Sequence, residues 1–219
     1  KVFEKIDGKE MLQHVLDTCE ESALYINKYS DKNRIKVTSV ILVPVEDEIV
    51  NKYKYKSVIF EGPENDVLKR YHSMSEALDP DYIVRVTADC PLLPSYLISK
   101  HINIATKGGY DYVSNIDENL RTCVDGHDVE VMSRRALEWA NETATFETDR
   151  EHVTMILRSK QIPSNFKIGH VIGHLYQPEV KLSVDTKEDL EKVRREYSNI
   201  KNCINKALAK SGGKSVYRV

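Results

Sequence analysis

The stretch Tyr82–Pro91 reads YIVRVTADCP, and its shape decides how the rest of the chain is arranged. An apolar, β-branched run from Tyr82 to Ala88 ends abruptly at Asp89, followed by Cys90, Pro91 and Leu92. Behind Pro94, helical spacing resumes with Leu97, Ile98, Ile102 and Ala105. A buried strand that hands off to a helix in this way suits an open α/β sheet, where ligands bind beyond the carboxyl ends of the strands. A lone carboxylate delivered to that edge is a candidate magnesium ligand, because Mg²⁺ often takes only one or two carboxylates plus phosphate oxygens. The residues alone equally allow Asp89 to accept hydrogen bonds in the turn after the strand.

Working outward, the first half alternates helix and strand. Met11, Leu12, Val15, Leu16 and Cys19 put a helix over Glu10–Glu21, and the polar stretch Asn27–Lys36 reads as a loop. Val37–Val43 is a strand stopped near Pro44, and Ser57–Phe60 is a second, broken by Gly62-Pro63. Val67, Leu68, Tyr71, Met74 and Leu78 mark the next helix; Gly108-Gly109 ends the one begun at Pro94, and Tyr110–Ser114 is again a strand. This order implies a layered α/β domain with a mainly parallel sheet.

The second half changes character. Asn115–Gly126 is polar and loop-like, Asp128–Met132 alternates strictly, and a helix begins near Ser133. Asp149 is positioned to cap a helix carrying Val153, Ile156 and Leu157. Phe166–Ile172 and Val180–Val184 read as strands, and Lys187–Tyr197 as a last helix.

Composition sets broad limits. The 219 residues, 41% hydrophobic, suit one large domain with a real core, and a net charge of −2 gives no pull toward nucleic acid or membrane. No apolar run is long enough to span a bilayer and no signal-peptide pattern occurs. Cys19, Cys90, Cys123 and Cys203 are scattered, which points to reduced thiols in a cytoplasmic protein. The basic tail from Lys206 to Arg218 reads as a solvated C-terminus. The chain opens at Lys1 without an initiator methionine, so natural residues ahead of it are expected.

Several further residues could carry chemistry. Asp185 follows the strand Val180–Val184 and precedes Thr186-Lys187-Glu188-Asp189, a capping-box-like run. If Thr186 caps the helix, the Asp185 side chain is free for the cleft; otherwise Asp185 is itself the cap. Together, Asp89 and Asp185 make a shared metal site from two strand ends. Period 2 puts Asp128 and Glu130 on one face, opposite Val129 and Val131. That acidic face either binds substrate hydroxyls or is the solvated side of an edge strand. Arg85 shares a face with Thr87 inside an apolar strand and needs a partner, either an ion pair or a bound anion. Arg150 and His152, taken to start a helix, could hold an anion with its free N–H groups. No P-loop, Gly-x-Ser-x-Gly or His-Glu-x-x-His pattern occurs, which argues against classes built on those motifs.

Seven segments in register resemble a known family: Asp7–Val15 (DGKEMLQHV), Gly62–Tyr71 (GPENDVLKRY), Arg85–Leu92 (RVTADCPL), Tyr110–Asn115 (YDYVSN), Asp125–Val131 (DGHDVEV), Asp149–Thr154 (DREHVT) and Val184–Thr186 (VDT). They resemble the cytidylyltransferases that include the 3-deoxy-manno-octulosonate and acylneuraminate synthetases, most of all the branch of the spore coat polysaccharide biosynthesis proteins. The resemblance runs from Lys1 to about Tyr197. It implies a three-layer α/β/α nucleotide-diphospho-sugar transferase (Rossmann-like) fold, Mg²⁺ as cofactor, and attack of an acceptor oxygen on the α-phosphorus of CTP with release of pyrophosphate. Asp89 and Asp185 match the metal aspartates, with Lys1 beside them as the last residue of a basic phosphate loop. Val43, Pro44, Asp66, Arg70 and Thr87 fall on the nucleotide side. Arg85, Asp128, Glu130, Arg150 and His152 fall on the acceptor side.

The same resemblance implies one domain over residues 1–219, lacking the first strand and most of the phosphate loop. It adds a substrate and dimerisation excursion at about 115–165 and, as partners, CTP, a small-molecule acceptor and a second copy. His127 stands where an apolar residue is expected. Two other readings stay open: a nucleotide-sugar-dependent glycosyltransferase and a non-catalytic relative. The first needs paired aspartates at a strand's carboxyl end, and Asp79-Pro80-Asp81 precedes its strand instead.

Overall fold

The structure, a computed structural model, describes residues 1–29, 35–54, 57–117, 120–172 and 180–210. The side chain of Cys203 and most of the basic tail Lys206–Arg218 lie outside the described residues, as do residues 30–34 of the expected loop Asn27–Lys36 and residues 118–119 of the loop Asn115–Gly126.

The chain begins with a two-residue antiparallel pair, β1 (Lys5–Ile6) and β2 (Lys9–Glu10), leading into α1 (Met11–Tyr29). Next come β3 (Val40–Pro44), α2 (Glu48–Tyr53), β4 (Val58–Gly62), α3 (Val67–Leu78) and β5 (Tyr82–Arg85). The rest is α4 (Ser95–Gly108), β6 (Tyr112–Ser114), β7 (Glu130–Ser133), α5 (Arg134–Thr143), α6 (Glu147–His152), β8 (Ile168–His170) and α7 (Lys187–Lys210).

The sheet is mixed. β3 and β4 pair in parallel, and a second set runs β5-β7-β6-β8. β6 and β8 are parallel, whereas β7 is antiparallel to both β5 and β6. Three of these four strands therefore run one way, with β7 reversed between them. Among the described residues, β3 and β5 each pair along one edge only.

Helices cover both faces. Alternate residues of a strand point to opposite sides. Ile83, Tyr112 and Met132 meet Leu68 and Met74 of α3 and Ala136, Leu137 and Ala140 of α5. On the other face, Val113 and Val131 meet Ile26 of α1 and Leu97, Ile98, Ile102 and Ala105 of α4. The result is the expected three-layer α/β/α arrangement. Both faces of β7 are buried, so it is a central strand rather than the solvated edge that its alternation suggested. No described helix is long and apolar enough to cross a membrane.

The helix α1 runs on to Tyr29, into the expected loop, α2 was not expected, β5 stops at Arg85 rather than Ala88, and α7 continues past Tyr197 to Lys210; two further elements differ in kind. The helix that Asp149 was to cap is instead α6, with Asp149 inside its first turn and Arg150 and His152 in its last. It stops because Val153 adopts φ 63°, ψ −57°, and the Thr154 N–H closes a γ-turn on the His152 carbonyl at 2.6 Å. Arg150 and His152 therefore lie at the C-terminal end of their own helix, away from its free N–H groups, and Arg150 pairs instead with Asp66, which precedes α3. The run Val180–Val184 forms no ladder of its own; it joins the fold through a parallel bridge between Asp125 and Lys181.

Candidate active site

β5 ends at Arg85, and a turn closed by the Cys90 N–H on the Thr87 carbonyl, 3.2 Å, carries Asp89 to the carboxyl edge of the sheet. The segment before α7 reaches the same edge: the Val184 N–H donates to the Asp89 carbonyl at 2.9 Å. Asp185 follows directly. Its freedom depends on its neighbours. The Asp189 N–H donates to Thr186 Oγ1 at 3.1 Å, and Asp189 Oδ2 accepts from the Thr186 and Asp185 N–H groups at 3.0 and 3.1 Å. This is a capping box with aspartate as its acid, so Thr186 caps α7 and Asp185 is left to project.

Asp89 and Asp185 converge. The Lys1 ammonium lies 3.8 Å from Asp89 Oδ2 and 3.3 Å from Asp185 Oδ1, so one cation already stands between the two carboxylates. The other Asp185 oxygen, Oδ2, takes the Lys181 ammonium at 2.9 Å, and Lys181 also holds Asp189 at 2.8 Å. Lys181 beside Asp185 holds its carboxyl below the usual carboxylate range, and Lys1 adds to the effect. Two carboxylate oxygens facing one cation position fit a hard divalent ion that completes its shell with phosphate and water. Among the described residues no group of three or more His, Cys, Asp or Glu could hold a metal without such help.

The residues expected around the nucleotide sit at the ends of β3, β4 and α3. Pro44 closes β3 opposite Gly62 of β4. The Val43 side chain is 2% exposed and packs with Leu12, Leu16 and Tyr53, so only its backbone reaches this edge. Asp66 caps α3 by accepting from the Lys69 N–H at 2.8 Å, and its other oxygen takes Arg150 Nε at 2.7 Å. Arg70 is buried. Thr87 Oγ1 lies 3.3 Å from the Cys90 thiol. Burial pushes that thiol far above its ordinary range, with Asp89 beside it adding to the shift.

The acceptor side is built differently from the expectation. Glu130 is 1% exposed and lies opposite Arg85 in the antiparallel ladder. It accepts from Arg85 Nη1 at 2.6 Å, from the Tyr112 hydroxyl at 2.6 Å and from Thr154 Oγ1. Glu130 thus offers no free face to a substrate hydroxyl; it is the buried partner that Arg85 requires. Burial pushes Asp128 up to about 6, although its ion pair with Arg121, 2.6 Å, works against the shift. Arg150 is fixed by Asp66 and by the Asn141 side chain at 2.9 Å, and His152 is exposed on the last turn of α6. His127 is half-buried, and desolvation pushes it down to about 4, while its Nε2 has no partner among the described residues.

Sequence reading missed Lys181, Arg121, Tyr112 and Thr154. Lys181 and Arg121 each lie within eight residues of the carboxylates they hold, a local charge pairing that spacing alone could have flagged. Tyr112 and Thr154 gave no such signal. The Asp79-Pro80-Asp81 run lies ahead of β5, at the amino edge, in a hollow shared with Asp111, Arg134 and Arg135.

Among the described residues, a doubly covered mixed sheet with β7 reversed, and two aspartates meeting at its carboxyl edge, make an α/β fold of the Rossmann-like kind. The chain belongs to the cytidylyltransferase family, whose sequence profile matches residues 1–212. An uncharacterized protein of Methanocaldococcus jannaschii is 33% identical over 135 residues, 61% of this chain and 53% of that protein, so the match spans about half the relative's length. The spore coat polysaccharide biosynthesis protein SpsF of Bacillus subtilis is 24% identical over 199 residues, covering 90% of this chain and 79% of that protein.

Among solved structures, a cytidylyltransferase from Leptospira borgpetersenii superposes with a TM-score of 0.74 at 21% identity, over 100% of this chain and 92% of the other. A CMP:2-keto-3-deoxy-manno-octonic acid synthetase complexed with CTP gives 0.60 at 14%, over 91% and 92%. A manganese complex of a Mycobacterium tuberculosis protein gives 0.58 at 15%, over 89% and 91%. At these identities the structural likenesses speak to the fold alone.

Proposed function

We propose that this chain couples CMP, taken from CTP, to a sugar acid or a related phosphorylated or polyol acceptor, releasing pyrophosphate, for a surface polysaccharide or glycoconjugate. The observation that carries the reading is the convergence of Asp89 and Asp185 on one cation position at the carboxyl edge of the sheet. SpsF supports the polysaccharide context, and the CTP-bound neighbour supports the nucleotide.

In this reading an acceptor oxygen forms a bond to the α-phosphorus of CTP, the α–β anhydride breaks, and the acceptor proton passes to solvent. Asp89 and Asp185 are the groups that would hold Mg²⁺, which when bound neutralises phosphate charge and lowers the pKa of the attacking hydroxyl. Lys1 adds a cation at the same place. The backbone at Val43 and Pro44, with Asp66, Arg70 and Thr87, lines the nucleotide side. Arg85, braced by Glu130, turns its remaining N–H groups to the acceptor, with Asp128, Arg150 and His152 around it. Positioning and charge neutralisation supply most of the acceleration in such transfers.

The same reading takes the chain as one cytoplasmic domain, with residues at about 115–165 serving the acceptor and a homodimer contact.

The test incubates the full gene product with CTP, Mg²⁺ and a panel of sugar acids, polyol phosphates and phosphonates, and detects pyrophosphate. Pyrophosphate appearing only with CTP and an acceptor supports the reading. Failure to bind CTP, or turnover of a nucleotide sugar without CTP, overturns it.

A further inference from the structure

Gly62, the last residue of β4, lies under the stem of Arg70. A methyl group built on Gly62 would stand 2.8 Å from Arg70 Cγ, 3.4 Å from its Cβ and 3.5 Å from its Cα. These are the root of the side chain, not its flexible end, so a substituent at 62 must displace the arginine or the first turn of α3 that carries it.

Arg70 is 7% exposed, yet it forms no ion pair among the described residues. Its Nη2 donates to the Glu64 carbonyl at a long 3.3 Å, and its Nε is buried with no partner. Burial lowers its pKa, against the opposing pull of Tyr71, Asp47 and Glu64 nearby. A buried guanidinium with an unspent donor is costly unless something else accepts from it. Asp47 and Glu64 make the surroundings acidic, which repels a phosphate and suits the uncharged base and ribose of a nucleotide.

We propose that Gly62 is a positioning residue: its missing side chain lets Arg70 cross the end of β4 and offer its donors to the base-and-ribose end of the nucleotide. The inference rests on the nucleotide reading given under Proposed function.

The test measures CTP and CMP binding by calorimetry, and KM and kcat for CTP, in Gly62→Ala, Arg70→Met, Arg70→Ala and the double variant Gly62→Ala/Arg70→Ala. Thermal melts establish that each is folded. Arg70→Met keeps the stem and removes every donor, so it reads the arginine's part even if Gly62→Ala does not fold. The expected result is that Gly62→Ala and Arg70→Met each weaken CTP and CMP by the same factor of about ten. KM should rise more than kcat falls, and Gly62→Ala should add nothing once Arg70 is alanine. If Arg70→Met binds both nucleotides normally, or Gly62→Ala costs as much with Arg70→Ala as without it, the inference is wrong. If wild-type protein binds CTP and the variants match it, this inference alone fails. If wild-type protein binds no CTP, the nucleotide reading fails with it.

Discussion

Replacing Glu130 by alanine should cost this fold more than any other single carboxylate removal. Glu130 is 1% exposed, and three donors converge on its two oxygens: Arg85, Tyr112 and Thr154. Only 19% of the Arg85 side chain meets solvent, so alanine at 130 leaves a guanidinium unpaired in the interior. Breaking a buried ion pair from one side costs about 3–5 kcal/mol, and the stranded hydroxyl of the fully buried Tyr112 argues for the upper half of that range. A loss of about 4 kcal/mol lowers the urea midpoint by roughly 2 M when the slope is near 2 kcal/mol per M.

The companion variant Arg85→Met/Glu130→Leu/Tyr112→Phe/Thr154→Val replaces the whole network with apolar groups. It should unfold within about 2 kcal/mol of wild type while losing acceptor turnover, because burying no charge at all avoids the desolvation that the pair must overcome. Equilibrium unfolding followed by circular dichroism decides the matter. A loss below about 1 kcal/mol for Glu130→Ala would refute the reasoning. So would a fourfold variant as unstable as the single one.

The site and the fold yield three further expectations. Asp89→Asn should lower kcat by about 10²-fold or more with an unchanged melting temperature, read in single-turnover assays of CTP consumption; normal turnover would remove Asp89 from the metal site. His101 is 0% exposed, and burial pushes it from the ordinary 6.5 down to about 4. Its contribution is therefore complete above pH 6.5 and lost as the pH falls toward 4, by up to about 3 kcal/mol; urea midpoints of wild type and His101→Asn should converge in acid, and parallel curves would contradict the assignment. Gly126 has φ 100°, and a methyl group there would lie 2.6 Å from backbone atoms of both Leu182 and Ser183. Gly126→Ala should therefore cost about 3 kcal/mol or more and loosen Asp185, read as a lower melting temperature together with weaker Mn²⁺ binding.

What the sequence disclosed about this site, and what it hid, follows from sequence distance. Asp89 and Asp185 were legible because each directly follows an apolar run; β5 and the bridged segment Val180–Val184 bring them to one edge of the sheet. Thr186-Lys187-Glu188-Asp189 was legible for the same reason: a capping box is a contact across three residues. Glu130 was not. Its alternation with Val129 and Val131 is the pattern of a half-exposed strand, and only the tertiary pairing reveals a carboxylate set into the core. The clue lay in Arg85, a charge inside an apolar strand that had to be neutralised. Its partner stands 45 residues away, on the one strand that runs against the others. Sequence spacing does not give the register that sets residues 85 and 130 side by side; the observed pairing of β7 does, and it also aligns Ser114 with Glu130 from the other neighbour. The reversal therefore changes what the acidic face does. Its inner carboxylate is spent on Arg85, so the strand that looked like an acidic surface instead buries an ion pair within the sheet.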